Sequence, residues 1–463
     1  MSDYRIEKDS MGEVKVPENA YYGAQTQRAY DNFPVSGIRF SRGFIAAIGQ
    51  VKKTAAKVNA DLGLLDKKIS DAIQKAAGEV ADGKFDDDFV VDIFQTGSGT
   101  STNMNANEII ARRANEHYTG SDGPIHPNDH VNFGQSSNDV IPTSIRVAAA
   151  VAVTENLIPS LSYLNKTLVQ KGEELKDVVK TGRTHLMDAM PVTMQQELGG
   201  YARQVQLGIE RLKSALERIQ ELPQGGTAVG TGINTHPDFG KKFAVEISRL
   251  AGVDFKEAEN HFEAQASVDA PVELSGQLKT VAVSMMKIGN DFRWMNSGPN
   301  SGIGEIELEA QQPGSSIMPG KVNPVMEESL TMAAAQVIGN DAAVTIGGQS
   351  GNFELNVMLP LVAHNLLESI KILGNAAKNF AEKSVTGFKV KEDRIKKMVG
   401  KNPILVTALN PLIGYDKAAK IAKKAFAEDR AVLDVAKEMT DLSEDELKKA
   451  LEPLSMTKGG FTE

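Results

Sequence analysis

Cysteine is absent from all 463 residues. That absence removes disulfides, Cys nucleophiles, thiolate zinc sites and Cys-ligated iron–sulfur clusters together. Any chemistry must then run on oxygen, nitrogen and backbone groups. A reducing compartment is the simplest reading, although cysteine-free secreted chains also exist. An excess of positive charge is missing too. Lys+Arg 51 against Asp+Glu 60 leaves −9, which argues against nucleic acid as the main partner. A small anionic ligand stays open, because a binding site is local. The opening MSDYRIEKDSMGEVKVP holds neither the apolar core of a secretory signal nor the Arg-rich, acid-poor character of a transit peptide. No uninterrupted apolar stretch approaches the about 20 residues of a membrane span. These absences lead to the expectation of a cytoplasmic protein with no membrane and no nucleic-acid partner.

No alternating strand series long enough for a major sheet is present, nor a repeat period, nor a low-complexity tract. Helical periodicity dominates instead. Apolar residues step by three or four through Val205, Ile209, Leu212, Leu216 and Ile219. The same spacing runs from Leu274 through Leu278, Val281, Met285, Ile288 and Phe292 to Met295, and from Leu359 through Val362, Leu366, Ile370, Leu373 and Ala377 to Phe380. Such stripes predict long amphipathic helices, with two more over roughly 140–178 and 324–346. Several long helices in sequence predict a bundle. The expected fold is mainly α: a central long-helix bundle over 139–393, a smaller mixed but mostly helical domain over 1–138, and a small helical domain over 394–463. Three regions also suit the length at about 150 residues per domain. Phe44, Ile48, Val51, Ala55 and Val58 mark one helix near the start, and Ser443–Glu446 spells a capping box near the end. Apolar residues outside single stripes, such as Ala148–Ala152, Met286, Trp294 and Ala333–Ala335, suggest subunit packing, with a large single-chain core as the alternative.

Four segments rich in glycine, serine and asparagine interrupt the helices: QTGSGTSTNMN (95–105), HPNDHVNFGQSSNDV (126–140), TGRTHLMDAMPVT (181–193) and QPGSSIMPGKVNPV (312–325). Each is read as a loop entering a helix. Asn105–Glu108 and Thr193–Gln196 have capping-box spacing, and Asn323-Pro324 reads as an N-cap followed by proline. Helix N-termini expose unpaired N–H groups and a partial positive charge. Converging, these loops would make a site of neutral donors with few cations: Lys321, Arg183 and His185. That suits a small carboxylate better than a polyphosphate. The alternative, ordinary capped turns, is strong for one loop and weaker for four.

Familiar motifs fit poorly. Gly314…Gly320-Lys321 is one residue too long for a phosphate loop, and Val322 stands where Ser or Thr is required. Gly97-Ser-Gly99 and Gly230-Thr-Gly232 lack the third glycine of a dinucleotide fingerprint. His126 and His130 have a helical metal spacing, but Pro127 between them favours a loop. His261 and His364, alone in helical text, read as structural. Gly314-Ser-Ser-Ile-Met is no nucleophile elbow.

GSSIMPGKVNP resembles the signature of the fumarase/aspartase superfamily. The resemblance covers essentially the whole chain, through VPENAYYGAQTQRA, QTGSGTSTNMN, GQSSNDV, GRTHLMDAMPVT, GGTAVGTGIN, GNFELNVMLP and VTALNPLIGYDKAAKIAKKA. It looks like the class II, metal-free fumarases. The iron–sulfur class is excluded independently by the missing cysteine. His185 stands where aspartases typically carry glutamine, and Gly320 where they usually carry alanine. An aspartate ammonia-lyase or other superfamily lyase is the alternative function, and a non-catalytic structural descendant a third.

The resemblance implies reversible hydration of fumarate to L-malate through an aci-carboxylate, with no cofactor and no metal. It implies Ser315 as the base, with His185 on the opposite face and Glu328 pairing with His185. Ser98, Gly99, Thr100, Ser136, Ser137, Asn138, Thr184, Ser316, Lys321, Val322 and Asn323 would bind the substrate. His126, Pro127, Asn128 and Asp129 match a second anion site, where many relatives carry a basic residue at the position of Gly123. A homotetramer, with each site shared between subunits, is also implied. Base chemistry at a serine is demanding, because a water-like hydroxyl has a pKa of about 15.7. A cation about 4 Å away contributes about 4 kcal/mol at an effective dielectric of about 20, some three pKa units. Lys321 alone is therefore insufficient, and N–H groups of the 314–320 loop must supply more.

Overall fold

The computed structural model describes residues 4–121 and 123–460. Helices dominate, and the described strands form four separate two-stranded pairs. The chain forms two compact units, each gathered from three stretches. One takes 1–159, 208–282 and 333–375, the other 160–207, 283–332 and 376–463. Four long helices, Met194–Ile219, Asp269–Asn296, Val325–Gln349 and Leu359–Phe380, each give residues to both.

In the first unit Arg42–Asp61 packs on Lys67–Ala81, Ser137–Ala152 and Phe239–Ala251. The predicted stripe is buried: Phe44, Ile48, Val51, Ala55 and Val58 are all within 2% of full burial. Gly49 sets how closely the first pair approaches. A Cβ there would lie 2.7 Å from Ala81 N and 3.0 Å from Ala77 O, which are backbone atoms. Thr100–His117 begins five residues before the cap predicted at Asn105. Asn105 is buried inside the helix and donates to the Asp88 carbonyl. Glu108 instead reaches the N–H groups of Gly23, Gln25 and Thr26, capping the helix Ala24–Asn32. The spacing was that of a capping box, but the partner is distant in sequence.

Ser137–Glu174 is long and apolar enough to span a membrane by composition, yet half its most apolar window is buried within the protein. It also carries Asp139 and Arg146, both buried. These are the marks of a core helix.

In the second unit, Phe292 meets Phe380 and Phe388 edge-on, at ring separations of 5.0 and 5.7 Å. The segment predicted as a loop over 181–193 is an antiparallel hairpin, Val179–Thr184 against Met187–Thr193. Thr193 and Gln196 do form the expected reciprocal cap where it enters Met194–Ile219. The C-terminal helices close over Ile395, Leu405, Leu409, Ile421, Val435 and Leu447. Ser443 and Glu446 make the predicted capping box.

The long helices leave apolar side chains in the open: Val283 and Trp294 on Asp269–Asn296, and Met332 and Ile346 on Val325–Gln349. Gly49→Ala provides a test of the tight helix pair. Alanine gains about 1 kcal/mol of helix propensity, but crowding against backbone costs about 1–3 kcal/mol. The net cost, up to about 2 kcal/mol, should lower the thermal midpoint by about one to two degrees in a chain of this size; a midpoint that rises would contradict the close approach.

Candidate active site

The 310–324 segment is organised by its own side chains. Asn323 Nδ2 donates to the Gly314 carbonyl, closing the loop across nine residues. Closure demands glycine at one end: a Cβ on Gly314 would lie 2.2 Å from the Lys321 carbonyl oxygen. Asn323 Oδ1 accepts from Lys321 Nζ at 2.9 Å. Asn323 thus spends its side chain on the loop instead of capping the helix as predicted, and Val325–Gln349 starts after Pro324.

Inside the closed loop, Ser315 Oγ accepts from the backbone N–H groups of Ile317 (3.2 Å) and Met318 (2.9 Å). Two donors on one hydroxyl oxygen stabilise negative charge there, which is what a serine base requires. Ser316, Lys321 and Val322 are exposed, and Ile317 is 83% exposed. A cavity of about 1280 Å³ opens beside the loop, lined by Arg293, Trp294, Lys321, Asn323, Glu328 and Lys389 among others.

His185 and Thr184 sit at the tip of the hairpin, both exposed. His185 and Leu186 have φ of 56° and 60°. This is the type I′ geometry that Asn-Gly usually serves, and left-handed non-glycine residues cost on the order of 1–3 kcal/mol each. The hairpin is pinned where it leaves the tip. Arg183 holds Glu305 with both nitrogens (2.6 and 3.1 Å), and fully buried Lys180 bonds Glu197 and Glu305 at 2.5 and 2.8 Å. Glu328 lies half-buried in the first turn of Val325–Gln349. Among the described residues no hydrogen bond joins it to His185.

In the other unit two helix N-termini come side by side. Gly99 is the N-cap of Thr100–His117, and Ser98 Oγ bonds Thr100 Oγ1 at 2.8 Å. Ser136 caps Ser137–Ala152 in a reciprocal box with Asp139. Asn103 Nδ2 donates to Ser137 Oγ at 2.9 Å, linking the two first turns. Asn138 Nδ2 donates to the Ala228 carbonyl at 2.8 Å. Ser98, Gly99, Thr100, Ser136, Ser137 and Asn138 therefore border one patch where N–H dipoles favour an anion. Asn103 and Asp139, which hold this patch, were not singled out in the sequence. Asn103 and Asn107, four apart on a helix whose Ala106, Ile110 and Ala114 are buried, were the available sign of a buried polar face.

The segment Pro127–Val131 forms one π-helical turn in place of the expected loop. His126 Nδ1 accepts from the N–H groups of Asn128 and Asp129 at 3.3 and 3.2 Å, and His130 Nδ1 accepts from His126 N–H. Both Nδ1 atoms thus serve the turn. Asn128 and Asp129 are exposed. Gly123 has a φ of +90° with open space around it, a conformation in which a longer side chain would be strained.

His261 is structural as predicted: its ring nitrogens meet the Pro223 carbonyl and Glu257.

A lyase family model matches residues 12–339, and a fumarase C C-terminus model matches 405–458. The chain is 57% identical to a class II fumarate hydratase of Xylella fastidiosa strain Temecula1, over 99% of this chain and 96% of that protein. It is 52% identical to the mitochondrial fumarate hydratase of Danio rerio, over 98% and 90%. The crystal structure of recombinant class II fumarase from Schistosoma mansoni superposes with a TM-score of 0.95 at 40% identity, covering 98% of this chain and 99% of that one. With matches of this identity along its whole length, the chain belongs to the class II fumarate hydratase family of lyases.

Proposed function

We propose that this enzyme interconverts L-malate with fumarate and water, using Ser315 as the base. The observation that carries this reading is the pair of N–H groups on Ser315 Oγ. In the dehydration direction, Ser315 as an oxyanion takes a proton from the carbon beside one carboxylate. The electron pair moves into that carboxylate, giving an aci-carboxylate with added negative charge. That charge returns to form the double bond as the C–O bond breaks, and the hydroxide leaves as water after gaining a proton at the opposite face. His185 handles that water, and Glu328 supports the charge and tautomer of His185. Ser98, Gly99, Thr100, Ser136, Ser137, Asn138, Thr184, Ser316, Lys321, Val322 and Asn323 hold the two carboxylates, aided most where charge builds up.

The energetics favour the loop as a whole over any single residue. Bringing a hydroxyl from about 15.7 to neutrality costs about 12 kcal/mol. Two N–H bonds to a charged oxygen return about 3–6 kcal/mol. A lysine about 4 Å away returns about 4. The remaining few fall to water exclusion and the following helix N-terminus.

Exclusion of water has to come from outside the single chain, because the Ser315 loop and the His185 tip are both open. We therefore read the enzyme as a cytoplasmic homotetramer whose sites are completed by other copies, with 139–393 as the shared core and 1–138 and 394–463 flanking it. The apolar side chains exposed on the long helices support this reading. His126, Pro127, Asn128 and Asp129 form a second anion site at its entrance.

Purified protein offered L-malate should develop fumarate absorbance, and offered L-aspartate should not. Fumarate from aspartate alone would overturn the assignment. Ser315→Ala should lower kcat by at least about 10²–10⁴-fold with an unchanged melting profile; near-normal turnover would remove Ser315 from the role of base.

A further inference from the structure

Lys52 occupies an apolar stripe of Arg42–Asp61 and is fully buried. Its Nζ donates to Asn132 Oδ1 at 2.9 Å and Gln135 Oε1 at 3.1 Å. Asn132 Oδ1 also accepts from Asn103 and Asn107, both at 3.2 Å. Asn103 donates onward to Ser137 Oγ. Asn132 Oδ1 is thus the shared acceptor of the Lys52 ammonium and of two amides, and the Asn103 amide bridges it to the Ser137 hydroxyl oxygen. With its oxygen already accepting, Ser137 is left to donate its own proton outward.

We propose that Lys52 is a positioning residue of the dicarboxylate pocket, aiming Ser137 through Asn132 and Asn103 and placing a positive charge beneath the two helix N-termini. This rests on the reading of Ser137 as a substrate-binding residue. A purely structural role is a poor account of the position. Methionine would fill an apolar stripe without burying an ammonium, whose desolvation is costly. The hydrogen-bond partners of Lys52 are neutral amides, so its charge is not cancelled by contact.

The charged group acting on Lys52 is Asp139, from Ser137–Ala152. Thr100–His117 and the 127–135 turn present the amides Asn103, Asn107, Asn132 and Gln135. Glu246 of Phe239–Ala251 is engaged with Arg249 and Lys57, and Glu79 of Lys67–Ala81 with Arg113. Burial pulls the Lys52 ammonium down to about 7, against the pull of Asp139. Burial likewise pushes Asp139 up to about 6, opposed by the N–H groups of Ser136, Gly225 and Thr227. Lys52 is protonated below its pKa, so malate binding should weaken as pH rises through neutrality, and a bound dianion should hold the proton.

The test is steady-state kinetics of the intact enzyme from pH 6 to 9. Lys52→Met should raise KM for malate by about tenfold at pH 6, change kcat far less, and erase the rise of KM toward high pH while the pH profile of kcat persists. KM within twofold of the parent at every pH, in a folded variant, overturns the proposal. Should Lys52→Met fail to fold, Asn132→Asp decides. It keeps shape and gives Lys52 a counter-charge, so the KM limb should move to higher pH; an unmoved limb overturns the proposal. Ser137→Ala separates the two levels. An unchanged KM there sinks the pocket reading and the Lys52 role with it. A raised KM there beside an unaffected Lys52→Met refutes Lys52 alone.

Discussion

The hydrogen bond from Asn323 to the Gly314 carbonyl is the contact on which the 310–324 loop depends. It folds a glycine-rich segment into a closed turn, and closure is what points two N–H groups at Ser315 Oγ and sets Lys321 on the same loop. A serine cannot act as a base in water. It can do so where preorganised donors already face the oxygen and need no rearrangement as charge appears. The glycines therefore matter less as flexible points than as places where backbone can approach backbone, as the 2.2 Å that a Gly314 Cβ would leave to Lys321 O makes plain.

A small dianion presents little surface, so recognition must come from many short polar contacts held in place by something rigid. Helices supply the rigidity here. The Ser98–Thr100 and Ser136–Asn138 groups are first-turn residues of two neighbouring helices, tied by the Asn103–Ser137 bond and backed by buried Lys52 and Asp139. The His185 hairpin is stiffened differently, by Arg183 and Lys180 on buried Glu305. Left-handed residues at its tip are tolerable only because the strands beneath are fixed. The Ser315 loop and the hairpin tip, by contrast, both stand open to solvent.

Much of this architecture was legible in the sequence because helical stripes are local. Leu274 through Met295 repeat every three or four residues, and all are buried. What escaped depended on partners far along the chain. Glu108 spells a cap with Asn105 but serves Gly23–Thr26. The 179–193 hairpin was hidden because His185-Leu186 stands where a hairpin turn would ordinarily announce itself with Asn-Gly. Lys52 reads as a solvent-facing lysine unless its neighbours Ile48, Val51 and Ala55 are weighed against it. The candidate site residues were legible as types in recognisable motifs. The two N–H bonds to Ser315 were not, because they follow from how the turn closes and not from spacing.

Subunit complementation tests whether a serine-based site is assembled from more than one copy of this chain. Ser315→Ala and His185→Asn proteins, each inactive alone, would be unfolded together, refolded and assayed with L-malate beside separately refolded controls. The mixed sample should regain a substantial fraction of parental turnover, because some hybrid sites would draw an intact Ser315 and an intact His185 from different subunits. Mixed assemblies that form, yet stay as inactive as their parents, would contradict a site shared between copies.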